Sequence, residues 1–202
     1  MRLSALPALA LVIGLSIAVS TTTAETIQYD DGTPEIWYGD WGVATRFTVP
    51  AEYGPMWELE GISIMAQTET ADSMNIKIWD DAYMVPGAVL FENSFETSSG
   101  SAGSWRNFDV SGAGLKFAPG QSFYGGLMHE EPEWEVAWDE TNPDHERSLY
   151  WIPGGDGEDR WWIGSDDAMI RASGTSTPEP SAAMLLATGA VMLMLCQRGR
   201  RE

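Results

Sequence analysis

The sequence predicts an all-β protein, an antiparallel and jelly-roll-like β-sandwich flanked by a signal peptide and a C-terminal apolar helix. Three observations predict this fold. Short stretches alternate apolar and polar residues, dense Gly, Pro and Asp turn signals separate them, and residues 25–176 contain no stretch of ten residues with helical periodicity. Alternation predicts strands with one buried and one solvent-exposed face, which are typical of antiparallel sheets. About 150 residues are enough to bury a core without other support.

Six stretches carry the alternation, at residues 45–49, 61–66, 74–79, 105–110, 123–127 and 134–138. Because successive side chains of a strand point to opposite faces, four of the stretches have a predicted inward set. These sets are Phe47 and Val49; Ile62, Ile64 and Ala66; Met74, Ile76 and Ile78; and Phe108 and Val110. In the last stretch, Trp134 and Trp138 share the face of Val136.

Turn chemistry lies between the predicted strands. Turns or loops are expected at residues 31–32, 53–55, 86–87, 98–104, 119–120 and 153–157. The run SSGSAGS at 98–104 is interpreted as a flexible loop inside the domain, because the strand pattern resumes at Trp105. The chain is therefore predicted to hold one folded domain, residues 25–176.

The N-terminal segment, residues 1–24, has the parts of a secretory signal peptide. Arg2 supplies the positive charge, residues 5–19 are apolar, and small residues follow. Cleavage is expected after Ala24 or after Ser20. A retained membrane anchor is the alternative, and the short apolar run disfavours it.

The C-terminal segment, residues 177–202, contains a stiff tripeptide, an apolar run at 182–196 and a basic end. A 15-residue helix rises about 22 Å, less than the roughly 30 Å of a bilayer's hydrocarbon core. That length suits a transient stop, although a simple tail anchor remains an alternative. The tripeptide and the basic end consist of Pro178, Glu179, Pro180, Arg198, Arg200 and Arg201.

This order of parts resembles the PEP-CTERM sorting signal of Gram-negative bacteria. The resemblance implies export, transient insertion in the inner membrane, and recognition and cleavage by an exosortase-type membrane protease. It also implies release to the cell surface or extracellular matrix, in strains that make exopolysaccharide and biofilm. Glu202 after the arginines is a departure from the pattern.

The charge of the body excludes several classes of partner. Residues 25–176 carry seven basic and 28 acidic side chains, a balance of −21. No basic stripe exists to neutralise phosphates, so nucleic acid is excluded, and docking of the body on anionic lipid is disfavoured. The only cysteine is Cys196, so the body has no disulfide, thiolate metal site or cysteine nucleophile.

The body also resembles β-sandwich accessory modules of secreted bacterial proteins. The similar stretches are residues 29–33 (YDDGT), 77–81 (KIWDD) with Pro86-Gly87, and 169–172 (MIRA). The resemblance implies the sandwich fold and assigns no activity, because many functions occur on sandwiches.

No catalytic constellation is evident in the sequence. Carboxylates are densest at residues 129–133 and 139–140, but adjacent loop residues rarely give the opposed pair that glycoside hydrolysis needs. His129 and His145 have no metal-ligand spacing between them, and Leu149 stands where a zincin helix has its second histidine. The protein is predicted not to be an enzyme.

No cofactor is expected, except that a structural Ca²⁺ ion is an open alternative. Aspartate-rich turns supply the hard oxygen ligands that Ca²⁺ prefers, and none follows a known calcium-loop pattern. These turns are at Asp30-Asp31, Asp80-Asp81, residues 156–159 and Asp166-Asp167.

Tryptophan is the most informative residue type, with ten in the chain, all within the body. Indole rings stack on sugars, and they equally pack in cores. Core or edge packing is the favoured interpretation for these rings. The candidates for carbohydrate stacking are Trp134, Trp138, Trp151, Trp161 and Trp162.

These observations predict an exported, exosortase-processed surface or matrix protein with a structural or adhesive role and contact with polysaccharide. Two alternatives remain open, a secreted glycan-acting enzyme and a calcium-dependent adhesion module. Convergence of acidic side chains in the folded protein would separate them.

Overall fold

The computed structural model describes residues 24–39, 41–68, 73–97, 100–129, 134–141, 147–153 and 160–177. Residues 23–177 form one compact unit. The predicted signal peptide (apart from Ala24), the sorting motif with its arginines, the acidic stretch 130–133, His145 and the turn at 156–159 lie outside the described residues. Within the described ranges, no helix is long and apolar enough to cross a membrane.

The chain folds into two antiparallel sheets that enclose one core, and the predicted all-β class is confirmed. The first sheet runs β1-β14-β4-β10-β13, with β2 paired to β10 and with β7 and β8 paired to β4. Its strands are β1 (Ala24–Ile27), β2 (Ile36–Gly39), β4 (Met56–Thr68), β7 (Gly100–Asp109), β8 (Lys116–Phe117), β10 (Glu135–Asp139), β13 (Asp167–Ala168) and β14 (Ile170–Thr177).

The second sheet runs β12-β11-β3-β9-β5-β6, so β12 and β6 are its edges. The only helical element of the described chain is a 3₁₀ turn at Ser111–Ala113, between β7 and β8. The strands are β3 (Gly42–Thr48), β5 (Ser73–Asp81), β6 (Pro86–Glu96), β9 (Ser122–Met128), β11 (Ser148–Ile152) and β12 (Arg160–Ile163).

The core lies between the sheets and contains every residue of the predicted inward sets. Those side chains are buried and belong to one apolar cluster, which Trp57, Leu59 and Leu127 also join. Period-two alternation identified them because each strand exposes its opposite face or covers it with a smaller cluster. The core prediction is confirmed.

The flexible loop predicted at 98–104 is wrong for Gly100–Ser104, which form the first half of β7. Ser104 pairs with Ala66 and Gly100 with Thr68 along the long strand β4. Small residues have weak strand propensity, but β4 offers an open edge whose backbone groups need partners. Backbone pairing at this edge therefore overrides the local composition.

The turn predicted at 86–87 is displaced, since Pro86 already pairs with Asp81 in the β5–β6 hairpin. The connecting residues are Ala82 to Val85, and Tyr83 and Met84 hold φ of 58° and 69°. Two successive positive φ values are typical of the type I′ hairpin turn. Tyr83 is fully exposed at the tip.

Candidate functional site

Aromatic side chains from both sheets meet in a cleft at the lateral edge formed by β2, β10 and β13 of one sheet and β11 and β12 of the other. The cleft has a volume of about 290 Å³. We call it the aromatic cleft, and its lining residues are Tyr38, Trp138, Tyr150, Gly164, Ser165 and Asp166.

The strand register brings these rings together. Tyr38 pairs with Val136 across β2 and β10, and Val136 and Trp138 both face the core. Tyr150 reaches the same interior from β11 of the opposite sheet. Side chains of directly opposed residues lie on one face of a sheet, so Tyr38 is directed to the core side.

The floor of the aromatic cleft is tightly packed. Trp138 is 3% exposed, and Gly164 lies against its ring. A Cβ at Gly164 would lie 2.9 Å from Cζ3 of Trp138 and 3.1 Å from the carbonyl oxygen of Ser148, so only glycine fits. The Nε1 of Trp138 is buried without a hydrogen-bond partner.

The rim of the aromatic cleft is open. Tyr38 is 42% exposed, and Trp162 on β12 is 44% exposed. Trp162 pairs with Tyr150 across β11 and β12, so both rings lie on the same face. The guanidinium of Arg160 lies 5.1 Å from the centre of the Trp162 ring. On the side of the cleft formed by the connection between β12 and β13, Ser165 Oγ donates a hydrogen bond of 2.9 Å to Asp166 Oδ2.

Beside the floor, Asp31, Glu35 and Asp139 bring carboxylate oxygens within 4.8 Å of one another. We call this group the acidic cluster. Asp139 accepts hydrogen bonds from the backbone N–H of Asp31 at 2.8 Å, and from the N–H and Oγ1 of Thr141 at 2.9 and 2.8 Å. Burial opposes ionisation of Asp139, but these hydrogen bonds prevail and lower its pKa. The cluster thereby ties the β1–β2 connection to the end of β10.

The other predicted aspartates have separate partners. Asp30 is buried and forms an ion pair with Arg171. Asp81 accepts a hydrogen bond of 2.9 Å from Nε of Arg46 and another of 2.8 Å from the N–H of Met84. Asp80 is exposed on the same hairpin. Among the described aspartate turns, only Asp31 joins the acidic cluster and only Asp166 lines the aromatic cleft.

Two of the five candidate stacking residues are unavailable to a sugar. Trp134 is fully buried and Trp138 is 3% exposed, so neither offers a free ring face. The assignment of Trp134 and Trp138 to surface stacking is therefore corrected to core packing. They alternate with Glu135 and Ala137 on β10, and their side of the strand is the core side.

Trp151 and Trp161 pack on the outer face of the second sheet. The Trp161 ring contacts Trp151 edge-on at 5.3 Å and Trp79 at 5.5 Å, and both candidates are half-buried. The outer cluster of that face contains buried Tyr124, whose pKa is raised by burial. Of the five candidates, Trp162 alone is exposed.

Sequence reasoning missed Tyr38, Tyr150, Gly164 and Ser165. Tyr38 and Tyr150 lie in four- and five-residue strands, which are too short for a convincing alternation. The signal that was available is the Gly-Ser-Asp-Asp run after the paired tryptophans, typical of a tight connection. Nothing local indicates that the run faces Tyr38.

Neither a protein-family model nor a curated protein sequence matches the chain. Two solved structures of Cwp84, a surface-layer-associated protein of Clostridium difficile, have similar folds. A form of this cysteine protease after propeptide cleavage aligns with a TM-score of 0.54 at 12% identity, over 76% of this chain and 40% of that one. The cysteine protease and lectin-like domains align at 0.50 and 10% identity, over 70% and 33%.

At such identities the likeness concerns the fold alone, and this chain spans less than half of either Cwp84 structure. Capsid protein VP2 of infectious bursal disease virus aligns over 90% of this chain and 50% of that one, at 10% identity and a TM-score of 0.30, which carries no argument. The class that the fold and site define is an antiparallel β-sandwich with an aromatic cleft at one edge.

Proposed function

We propose that the protein is an exported, exosortase-processed component of the cell surface or extracellular matrix of a Gram-negative bacterium, with a structural or adhesive role and no catalysis. The terminal signals in the sequence support the sorting route. We also propose jelly-roll-like connectivity, because the chain passes repeatedly from one sheet to the other.

The folded domain contacts polysaccharide at the aromatic cleft and the adjoining Trp162. The observation that carries this proposal is the convergence of Tyr38, Tyr150 and exposed Trp162 beside hydroxyl and carboxylate groups. Apolar faces with a few placed polar groups are the usual composition of a small-ligand site.

The polysaccharide is not acidic. A body with a balance of −21 repels carboxylate and sulfate groups unless a divalent cation bridges the two surfaces. Stacking on an indole ring is unaffected by net charge, so an uncharged sugar meets no such barrier.

Titration of the purified protein with neutral and acidic polysaccharides, followed by tryptophan fluorescence, tests the contact. Neutral polymers should bind with and without chelator. Trp162→Ala should weaken this binding at least tenfold. Tyr83→Ala, which removes a fully exposed ring from the hairpin beside the opposite edge strand, should leave it unchanged. Equal binding by both variants and wild type, or no binding at all, contradicts the proposal.

The sorting route has its own test. Replacing Pro178, Glu179 and Pro180 with alanine should leave an unprocessed species in the inner membrane of the native host. A shortened, released form of this variant would contradict exosortase processing.

A calcium-dependent adhesion module is the second candidate, and the acidic cluster is the observation that favours it. It predicts that chelation lowers the melting temperature and abolishes glycan binding. Our first proposal predicts that binding to neutral polymers survives chelation, so one titration with EDTA separates the two.

A further inference from the structure

The aromatic cleft has the wrong shape for a flat sugar ring. The Tyr38 and Trp138 rings meet almost perpendicularly, at 76° with centroids 6.0 Å apart, so they form a corner. Trp138 is too deeply buried to offer a broad face. A compact group fits such a corner better than a pyranose.

The charges around the cleft determine whether that group is a cation or an anion. Its lining, taken from the described residues, includes one carboxylate, Asp166, and no cationic side chain. Ser165 donates to Oδ2 of Asp166, and Oδ1 remains to accept from a ligand. Aromatic ring faces are themselves negative and attract cations.

Outside the lining, Arg160 already holds its guanidinium over the Trp162 ring at the rim, so the Trp162 ring is not part of the cation site. Anionic ligands would meet Asp166 in the cleft, whereas a cation gains both the carboxylate and the exposed Tyr38 ring.

We propose that the aromatic cleft binds the protonated amine of an amino sugar, so that the polysaccharide of the proposed function is a partly or fully deacetylated aminoglycan. This inference rests on the proposed function. The ammonium group lies against the exposed Tyr38 ring and beside Tyr150, above the buried Trp138, and pairs with Asp166. The remainder of the glycan leaves past Trp162.

The test compares glucosamine tetramer with its N-acetylated counterpart, by isothermal titration calorimetry at pH 6 and 150 mM salt. The two probes share a backbone and differ in the charge of the amine. We expect the free amine to bind at least about tenfold more tightly, the gain that one partly desolvated cation–π and ion-pair site provides.

Two variants separate the cleft from the overall charge. Asp166→Asn should remove most of the preference and leave binding of the N-acetylated tetramer nearly unchanged. Glu52→Gln removes the same charge from the exposed loop after β3, at the end of that strand remote from its pairing with Tyr150, and should keep the preference. An equal loss in both variants would assign the preference to net charge and overturn the inference.

Competition with free glucosamine and with choline chloride tests whether the bound cation is the amine of an amino sugar or a quaternary ammonium group. Glucosamine should displace the tetramer at lower concentration than choline does. Tighter binding of choline overturns the assignment to an amino sugar. Equal affinity for the two tetramers, with both lost in Trp162→Ala, overturns the inference and leaves the proposed function standing, whereas binding of neither tetramer counts against both.

Discussion

The floor and the rim of the aromatic cleft are built from similar residues under different constraints. At the floor, Trp138 is almost wholly buried and Gly164 is held against its ring, and the next residue of β10, Asp139, accepts three hydrogen bonds. At the rim, Tyr38 and Trp162 are more than 40% exposed. Floor residues therefore act on stability, and rim residues act on binding. Substitutions that separate the two effects test this comparison.

The largest effect on stability is expected from Trp138→Ala. Removing a buried indole loses apolar burial and leaves a cavity, at a cost of about 3–5 kcal/mol in the free energy of unfolding. Urea denaturation followed by circular dichroism measures the change. A loss below 1 kcal/mol would show that Trp138 is not a packing residue, and the comparison would fail.

Asp139→Ala should lower the free energy of unfolding by about 1.5–2 kcal/mol, because three part-buried hydrogen bonds from exposed residues to a buried, charged acceptor are lost. The lowered pKa of Asp139 fixes the pH dependence. Its stabilisation is complete above its ordinary pKa near 4 and is lost as the pH falls through the lower, folded value.

Urea midpoints from pH 7 to pH 2 check this prediction. At the acidic end of this pH range, the wild type should lose more stability than Asp139→Ala. Glu52→Ala serves as the control, since Glu52 is exposed in the loop after β3. Parallel pH profiles for wild type and Asp139→Ala would contradict the prediction.

Gly164→Ala should destabilise by about 1–2 kcal/mol, since the added methyl overlaps the Trp138 ring and two carbonyl oxygens. Gly112→Ala is the matched control, because a Cβ there meets nothing within 4 Å. Thermal melts of the two variants give the comparison. If Gly164→Ala and Gly112→Ala have the same melting temperature, the packing around Gly164 is looser than its contacts indicate.

The smallest effect on stability is expected from Trp162→Ala, within about 0.5 kcal/mol of wild type in urea denaturation. This variant sharpens the comparison because it removes the same side chain as Trp138→Ala. It should retain the fold and lose glycan binding. A large destabilisation would move Trp162 from the rim into the set of packing residues.

Much of the fold could be predicted from sequence because alternation is a local property. Ile62, Ile64 and Ala66 repeat at period two within one strand, and any sheet that buries one face buries them together. The acidic excess, the cysteine-free body and the terminal motifs are likewise read without knowing the fold. Trp134 and Trp138 show what alternation leaves undecided: it places both on one face of the strand but does not indicate whether that face is buried or exposed to solvent.

Tertiary structure alone decided the aromatic cleft. Tyr38 and Trp138 lie 100 positions apart, and their contact depends on the register of β2 with β10, which is set by backbone hydrogen bonds between distant segments. The same cause makes Gly100–Ser104 a strand, because β4 presents unpaired backbone groups along its length. The sequence by itself determined which residues are apolar, charged and alternating. Long-range pairing determined which of them meet, since a short segment carries no information about its partner strand.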